Sequence, residues 1–389
     1  MRPTVVELHT EIDAQSRVAS RYGQVGLDPL DTNIAFVKHN YYQHPSTPFD
    51  TKKISQNDAI GCPPTTTPRD PDAAIRATDT DAAHARLSAI NKGYLSDPFT
   101  ALLVPRARFA PPRPPLINHG THVRARGIDA LVHAWLDIGG ADIKKQIVSV
   151  GAGSDSRFWR IASSARGDAL KAYVELDLPE NVLSKCMTIR KSKELSAVVG
   201  ADAVLTHGGQ ALSSARYHLR PVDLRNESAL DAVVDLLDPT IPTLFIAECV
   251  LAYMDRGASD RLLRKIADHF DCSAAVVYEM FGLDDAFGRV MRENLQARNV
   301  TLPGVDAYPT LTAQAERFTV NGFTASSSLT LRTIRSHYIS SEERERIAKL
   351  EMLDEIEELD LVLQHYAISW GLKAPEESSF VHWTMPDQV

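Results

Sequence analysis

The sequence predicts an α/β domain with a doubly wound, Rossmann-like parallel sheet and with helices added at both ends of the chain. Three observations lead to this prediction. After Gln146, short apolar runs alternate with amphipathic stretches, a glycine turn follows the first run, and acidic residues follow the later runs. Strands that alternate with helices along a chain typically pack as a parallel sheet with helices on both faces.

Five apolar runs are the predicted strands of this sheet, and amphipathic stretches between them are the predicted helices. The strands are expected at 147–150, 172–176, 217–222, 243–247 and 274–278. Between the later strands, helices are expected at 227–237 and 258–270.

Additional helices are predicted on both sides of the sheet. Upstream, residues 80–91 resemble a capped helix, and a second helix places Ile128, Leu131, Val132, Trp135 and Leu136 on one face. Downstream, we expect a helix over 284–299, a strand near 323–325, one long helix over 341–365 and a last strand at 380–384.

The chain has two compositionally different parts. Residues 42–72 are rich in Pro, Thr, Ser and Asp, with few large apolar side chains. Such a segment buries too little apolar surface to offset the entropy lost on folding. We therefore predict a largely disordered extension over 1–78 and one folded domain over 79–389.

The bulk composition excludes several classes of protein. The formal net charge is -8 over 389 residues, which argues against a nucleic-acid partner. The four cysteines form no Cys-x-x-Cys pair, and the histidines show no metal-binding spacing, so neither a disulfide framework nor a metal site is expected. No apolar run is long enough to cross a membrane. We expect a cytoplasmic protein without a membrane partner.

The residues at the predicted strand ends carry the functional argument. The first strand is followed by Gly151-Ala152-Gly153, the second ends at Asp177, the third precedes Asp223-Leu224, and the fourth precedes Glu248. Ligands of open α/β sheets bind beyond the carboxyl ends of the strands. A glycine turn and three carboxylates should therefore meet at one sheet edge.

The glycine turn by itself is equally typical of a tight strand-to-helix connection. Asp177 lies at the spacing expected of a carboxylate that accepts hydrogen bonds from ribose hydroxyls. Ser156 stands where a dinucleotide fingerprint would need a third glycine, and S-adenosylmethionine has no pyrophosphate to require one. The pattern predicts a Rossmann-like S-adenosylmethionine-dependent methyltransferase sheet.

Two of these acidic positions have alternative interpretations. Asp223 and Leu224 fit an adenine site, but Asp223 is equally suited to be the N-cap of the following helix. Glu248 follows an apolar strand, and a buried carboxylate needs cationic or hydrogen-bonding partners. Those partners could be the ammonium group of the cofactor or a structural arginine pair.

Several motifs resemble those of the leucine carboxyl methyltransferases. They lie at 150–160, 173–179, 246–254, 287–295 and 350–355, and the most specific is Ala-Glu-Cys-Val-Leu-x-Tyr-Met at 247–254. The resemblance runs from about residue 80 to the end of the chain. The extension before Asp79 is not part of the family's pattern.

The resemblance implies methyl transfer from S-adenosylmethionine to the carboxyl-terminal leucine of the protein phosphatase 2A catalytic subunit. It also implies the positions that contact the cofactor and a tyrosine, Tyr253, near the substrate carboxylate. The implied cofactor contacts are Arg86, Arg124, Gly151, Asp177, Asp223, Leu224 and Glu248.

A peptide α-carboxylate, with a pKa near ~3.5, is already ionised at neutral pH and needs no general base. We therefore assign no catalytic acid or base, and we expect a monomer because one peptide end enters one pocket. Two alternatives stay open at this point. One is a relative that methylates a small molecule or a modified tRNA base, and the other is a non-catalytic partner of the phosphatase.

Overall fold

The computed structural model describes residues 70, 72–234, 236–354 and 356–389. Most of the predicted extension, residues 1–69 and 71, lies outside the described residues. The first helix, α1, spans Ala73–Asn91, so residues 73–78 are helical although the sequence placed them in the extension. The difference arises because alanines at 73 and 74 extend the helix upstream of the predicted cap at Thr80.

From Lys145 to Met280 the five predicted strands are separated by helices, as the sequence predicted. The helices are α1 Ala73–Asn91, α2 Thr100–Leu103, α3 Pro115–Asp137, α4 Arg157–Ala162, α5 Pro179–Lys191, α6 Lys193–Val199, α7 Glu227–Val234, α8 Arg256–His269, α9 Ala286–Ala297, α10 Leu311–Thr319, α11 Leu331–Thr333, α12 Ser341–Ala348 and α13 Ile356–Gln364. The strands are β1 Lys145–Val150, β2 Leu170–Asp177, β3 Val204–Thr206, β4 Ala211–Ser213, β5 Tyr217–Pro221, β6 Thr243–Glu248, β7 Ser273–Met280, β8 Ala325–Thr330 and β9 Tyr366–Lys373.

The strands form one sheet in the order β3-β4-β5-β2-β1-β6-β7-β9-β8. Its centre, from β5 to β7, is parallel, while β3, β4, β8 and β9 add antiparallel pairs at the two edges. The five predicted strands are therefore confirmed and form the parallel centre. The chain winds outward in one direction from β1 to β5 and in the other from β6 to β7, so the switch point lies between β1 and β6.

Both faces of the sheet are covered by helices. On one face Val148, Val174 and Phe245 pack with α7 and α8, and on the other Ile147 and Tyr173 pack with α3. The central strands are buried on both sides, which explains why their sequences are continuous apolar runs rather than alternating patterns.

Helix α3 is placed by its sequence and by its connection to β1. Pro115 occupies its first turn, where a missing backbone N–H costs nothing. The predicted apolar face is confirmed, since Ile128, Leu131, Val132 and Trp135 are fully buried. A short loop joins Asp137 to β1, so α3 runs antiparallel to that strand. The N-terminal half of α3 therefore lies beyond the carboxyl edge of the sheet.

The C-terminal region differs from the prediction in three places. The expected long helix over 341–365 is two helices, α12 and α13, because Glu351 in the segment between them accepts a hydrogen bond from Asn118 and pairs with Lys92. The last strand is β9 rather than 380–384, where a short 3-10 helix places Phe380 against Trp135. The expected strand near 323–325 lies slightly later, as β8. Within the described residues, no helix is long and apolar enough to span a membrane.

Candidate active site

A cavity of about 250 Å³ lies at the carboxyl edge of the sheet, beside the switch point. All of the site residues named from the sequence line it. They are Arg86, Arg124, Gly151, Asp177, Asp223, Leu224, Glu248 and Tyr253. Its two ends differ in chemistry. We call Gly151, Gly153, Asp177 and Asp223 the turn end, and Tyr253, Tyr278, Met280 and Tyr366 the aromatic end.

The glycines of the turn end are required by backbone geometry and by space. Gly151 and Gly153 have φ angles of 59° and 43°, in the left-handed region that L side chains rarely adopt. A Cβ atom at Gly151 would lie 2.5 Å from the side chain of Val250. The turn therefore leaves backbone, rather than side chain, facing the cavity.

Asp177 fixes the turn from the end of β2. Its carboxylate accepts hydrogen bonds from the backbone N–H of Gly153 at 2.6 Å and of Leu178 at 2.7 Å, and from the Asn181 amide at 2.9 Å. Burial raises the pKa of this carboxyl group, whereas these donors lower it. The sequence spacing between the glycine turn and Asp177 thus brings the Asp177 carboxylate into direct contact with the backbone of the turn.

Asp79, which the sequence did not single out, supports the same turn from the other side. Its carboxylate accepts hydrogen bonds from the Ser154 backbone N–H at 2.7 Å and from the Ser154 hydroxyl at 2.8 Å. A side chain at Gly153 would collide with it. Helix α1 therefore takes part in shaping the turn, a contact that no local sequence pattern indicates.

Glu248 lies between two arginines at the end of β6. Arg124 pairs with one carboxylate oxygen at 2.7 Å, and Arg157 pairs with the other at 2.9 Å. Burial alone would favour the neutral acid, but the two guanidinium groups lower the pKa of Glu248 to about 2. The structural arginine pair, one of the two interpretations left open, is present. Arg157 could have been predicted from the sequence, because it lies in the 150–160 motif and a buried Glu248 needs cationic partners.

The arginines extend this pair into a buried ionic network. Arg157 also binds Asp155 at 2.5 Å and Asp129 at 3.2 Å. Arg86 pairs with Asp97 at 3.1 Å, and Arg160 also contacts both Asp97 and Asp129. Buried charges are stable only when they are paired in this way. The network fixes α1 and α3 against the turn.

Asp223 contributes to the rim of the turn end. Its carboxylate accepts hydrogen bonds from the backbone and guanidinium of Arg225, at 3.0 and 2.8 Å. Helix α7 begins only at Glu227, so Asp223 lies too far upstream to be the N-cap of this helix. The guanidinium group of Arg225 also donates two hydrogen bonds, of 2.9 and 2.7 Å, to the carboxylate of Asp72. The rim is thereby tied to the residue that precedes α1.

Tyr253 is placed by a short 3-10 turn, Leu251–Tyr253, between β6 and α8. The turn is anchored by Glu279, a buried residue of β7 that accepts the Ala252 N–H at 2.7 Å and pairs with Arg317 at 3.0 Å. Gly304 packs so closely on it that a Cβ atom would lie 2.4 Å from the carbonyl oxygen of Leu251. Burial raises the pKa of Tyr253, so its hydroxyl stays protonated.

The aromatic end is built from β7 and β9. The rings of Tyr278 and Tyr366 are stacked with their centroids 5.4 Å apart, and the Arg124 guanidinium lies 4.5 Å above the Tyr278 ring. Met280 and Leu295 complete its apolar lining. In the part of the chain that the structure describes, no group of three or more potential metal ligands was found.

Comparisons with known proteins identify the family of this chain. The family model described as leucine carboxyl methyltransferase matches residues 74–267. A leucine carboxyl methyltransferase 1 of Cryptococcus neoformans is 43% identical, over 82% of this chain and 99% of the relative. The corresponding protein of Aspergillus fumigatus is 36% identical, over 77% and 83% of the two chains. An Arabidopsis thaliana homolog is 35% identical, over 77% and 89%. The chain belongs to the leucine carboxyl methyltransferase family.

Proposed function

We propose that the protein transfers a methyl group from S-adenosylmethionine to the α-carboxylate of the carboxyl-terminal leucine of the protein phosphatase 2A catalytic subunit. The product is a leucine methyl ester. One observation carries the proposal. The same cavity is lined by the glycine turn and Asp177, which suit a nucleoside, by Arg124 and Glu248, which suit a charged amino-acid tail, and by Tyr253, which suits an anionic acceptor.

The turn end fits the nucleoside of the cofactor. The backbone of Gly151 can approach a ligand closely because the residue has no side chain there. Asp177 and Asp223 offer carboxylate oxygens for the ribose hydroxyls and the adenine amine, and Leu224 can cover a face of the ring. Each of these residues already lines the cavity.

The charged tail of the cofactor requires an anion-binding and a cation-binding group. Arg124 is the proposed partner of its carboxylate, with Arg86 as a second cation. Glu248, ionised because of its low pKa, is the proposed partner of its ammonium group. In that arrangement Arg157 keeps Glu248 in place when Arg124 turns towards the ligand.

The bound cofactor supplies an electrophilic methyl group on a sulfonium. The acceptor carboxylate is already a nucleophile at neutral pH, so the protein's role is to orient it and to exclude water. The neutral Tyr253 hydroxyl can donate a hydrogen bond to the acceptor without neutralising its charge. No side chain needs to remove a proton.

The remaining parts of the proposal concern the surroundings of the enzyme. We propose a cytoplasmic monomer that uses neither nucleic acid nor a membrane as a partner, in keeping with the net charge of -8. The domain that begins with α1 at Ala73 carries the activity, and the segment before it is an extension.

The test is transfer of label from methyl-labelled S-adenosylmethionine to purified phosphatase catalytic subunit. The matched control is the same subunit without its last leucine. We expect label on the intact subunit alone, released by mild base because the product is an ester. Label on both forms, or on neither, would contradict the proposal.

A further inference from the structure

Two buried hydroxyl groups in the cavity wall have no assigned role. Thr121 lies on α3 and is 6% exposed, and Tyr278 lies on β7 and is 0% exposed. Both residues line the cavity. Among the residues that the structure describes, neither hydroxyl oxygen has a hydrogen-bond partner.

Unpaired buried hydroxyls are unfavourable, and most buried polar groups in folded proteins are paired. Two such groups in one cavity wall therefore indicate a polar ligand that enters the cavity. Thr121 has the alternative of bonding to a carbonyl of its own helix, but it makes no such bond. Its hydroxyl is therefore buried without a partner among the described residues.

The position of the pair indicates which ligand. Thr121 precedes Arg124 by about one helical turn, in the half of α3 that lies beyond the sheet edge. Tyr278 is at the aromatic end, below Arg124 and stacked on Tyr366. Both residues therefore belong to the surroundings of Arg124, and Tyr278 does so through direct contact of its ring with the guanidinium group.

We propose that the Thr121 and Tyr278 hydroxyls bind the acceptor, donating hydrogen bonds to the carboxyl-terminal end of the methylated chain. The inference rests on the proposed function, and it adds two acceptor-binding residues to Tyr253. The same donors could serve the carboxylate of the cofactor tail, and the experiment separates these two carboxylates.

Neutral hydroxyls suit this role chemically. Burial raises the pKa of Tyr278, so the phenol remains protonated and can donate. A hydroxyl orients a carboxylate while leaving its negative charge available for attack, whereas a guanidinium clamp would reduce its nucleophilicity. This division leaves Arg124 for the cofactor and neutral donors for the acceptor.

The test compares Thr121→Val and Tyr278→Phe with the wild type in methyl transfer to the phosphatase catalytic subunit. Each variant removes one hydroxyl and preserves nearly all of the side-chain volume. We expect each to raise KM for the acceptor about tenfold, the typical effect of losing one hydrogen bond to a charged group. The Kd of S-adenosylhomocysteine, measured by calorimetry, should stay unchanged.

Two further variants keep the test independent of folding. Thr121→Ser retains the hydroxyl and should restore KM. Tyr94→Phe makes the same change at another buried tyrosine, which does not line the cavity, and should leave both constants unchanged. Thermal unfolding of all four variants reports any loss of structure.

The possible results distinguish failure of the inference from failure of the proposed function. Unchanged KM in both hydroxyl-removing variants overturns the inference, as does a rise in the Kd of S-adenosylhomocysteine that accounts for the lost activity. Failure of the wild type to label the phosphatase overturns the proposed function instead. In that event, binding of the intact phosphatase to the variants decides the inference, because equal affinity for wild type and variants overturns it.

Discussion

The two ends of the cavity are built by different means. At the turn end, the ligand-facing groups come from consecutive strand ends, and buried carboxylates hold the backbone with bonds of 2.6 to 2.7 Å. At the aromatic end, the groups come from α3, a 3-10 turn, β7 and β9, and their contacts are stacked rings and close packing.

This difference predicts separable effects of substitution. A change at the turn end should weaken cofactor binding, and every later step should weaken with it. A change at the aromatic end should affect the acceptor alone. Arg124 lies between the two ends, so its loss should have the largest effect.

Arg124→Ala is expected to raise the Kd of S-adenosylhomocysteine more than 100-fold in calorimetry. The variant removes the proposed partner of the ligand carboxylate, and it leaves the partly buried Glu248 with one arginine fewer. Arg166→Ala is the matched control, since Arg166 forms an exposed pair with Asp137 and should change nothing in the cavity. Unchanged affinity of Arg124→Ala would remove this residue from the cofactor site.

Asp177→Asn is expected to raise the same Kd about tenfold to 100-fold, because a charged acceptor that also orders the turn is lost. Asp223→Asn should have a smaller effect, since Asp223 is partly exposed and already paired with Arg225. Calorimetry of both variants measures the ratio of the two increases in Kd. Equal effects would contradict the assignment of Asp177 as the anchor of the turn end.

Tyr253→Phe is expected to lower kcat/KM for the acceptor about tenfold while the Kd of S-adenosylhomocysteine remains the same. Tyr308→Phe is a suitable control, because the Tyr308 hydroxyl bonds Asp260 and does not line the cavity. A wild-type rate for Tyr253→Phe would exclude its contact with the acceptor.

The smallest expected effect is that of pH. Between about pH 6 and 8, where an ordinary histidine titrates, kcat/KM should be flat. The lowered pKa of Glu248 keeps its arginine pairs intact above its ordinary value of 4.5, and they are lost only as the pH falls through about 2. Among the described residues that line the cavity there is no histidine. A limb in the rate profile within this window would reveal a general base.

Most of the turn end could be predicted from sequence. Buried parallel strands are continuous apolar runs, so their ends are recognisable, and Gly151, Asp177 and Asp223 follow directly. Asp79 could not be predicted because it reaches the turn from a helix far upstream in the chain. Such a contact leaves no periodic pattern in the sequence.

Less of the aromatic end could be predicted. The family motif indicated Tyr253, but Thr121 and Tyr278 looked like ordinary residues of a helix and a strand. Their significance lies in the absence of hydrogen-bond partners among the described residues, which only the folded chain shows. The break between helices α12 and α13 could not be predicted for a similar reason, because it too depends on contacts of the folded chain. Its apolar spacing continues across the break, and tertiary contacts of Glu351 override it.

A crystal structure with S-adenosylhomocysteine tests the division of the cavity most directly. We expect adenosine at the turn end, with its ribose on Asp177, and the ligand carboxylate on Arg124. The hydroxyls of Thr121 and Tyr278 should remain without a contact to this ligand. Adenosine at the aromatic end, or the ligand carboxylate on those two hydroxyls, would contradict it.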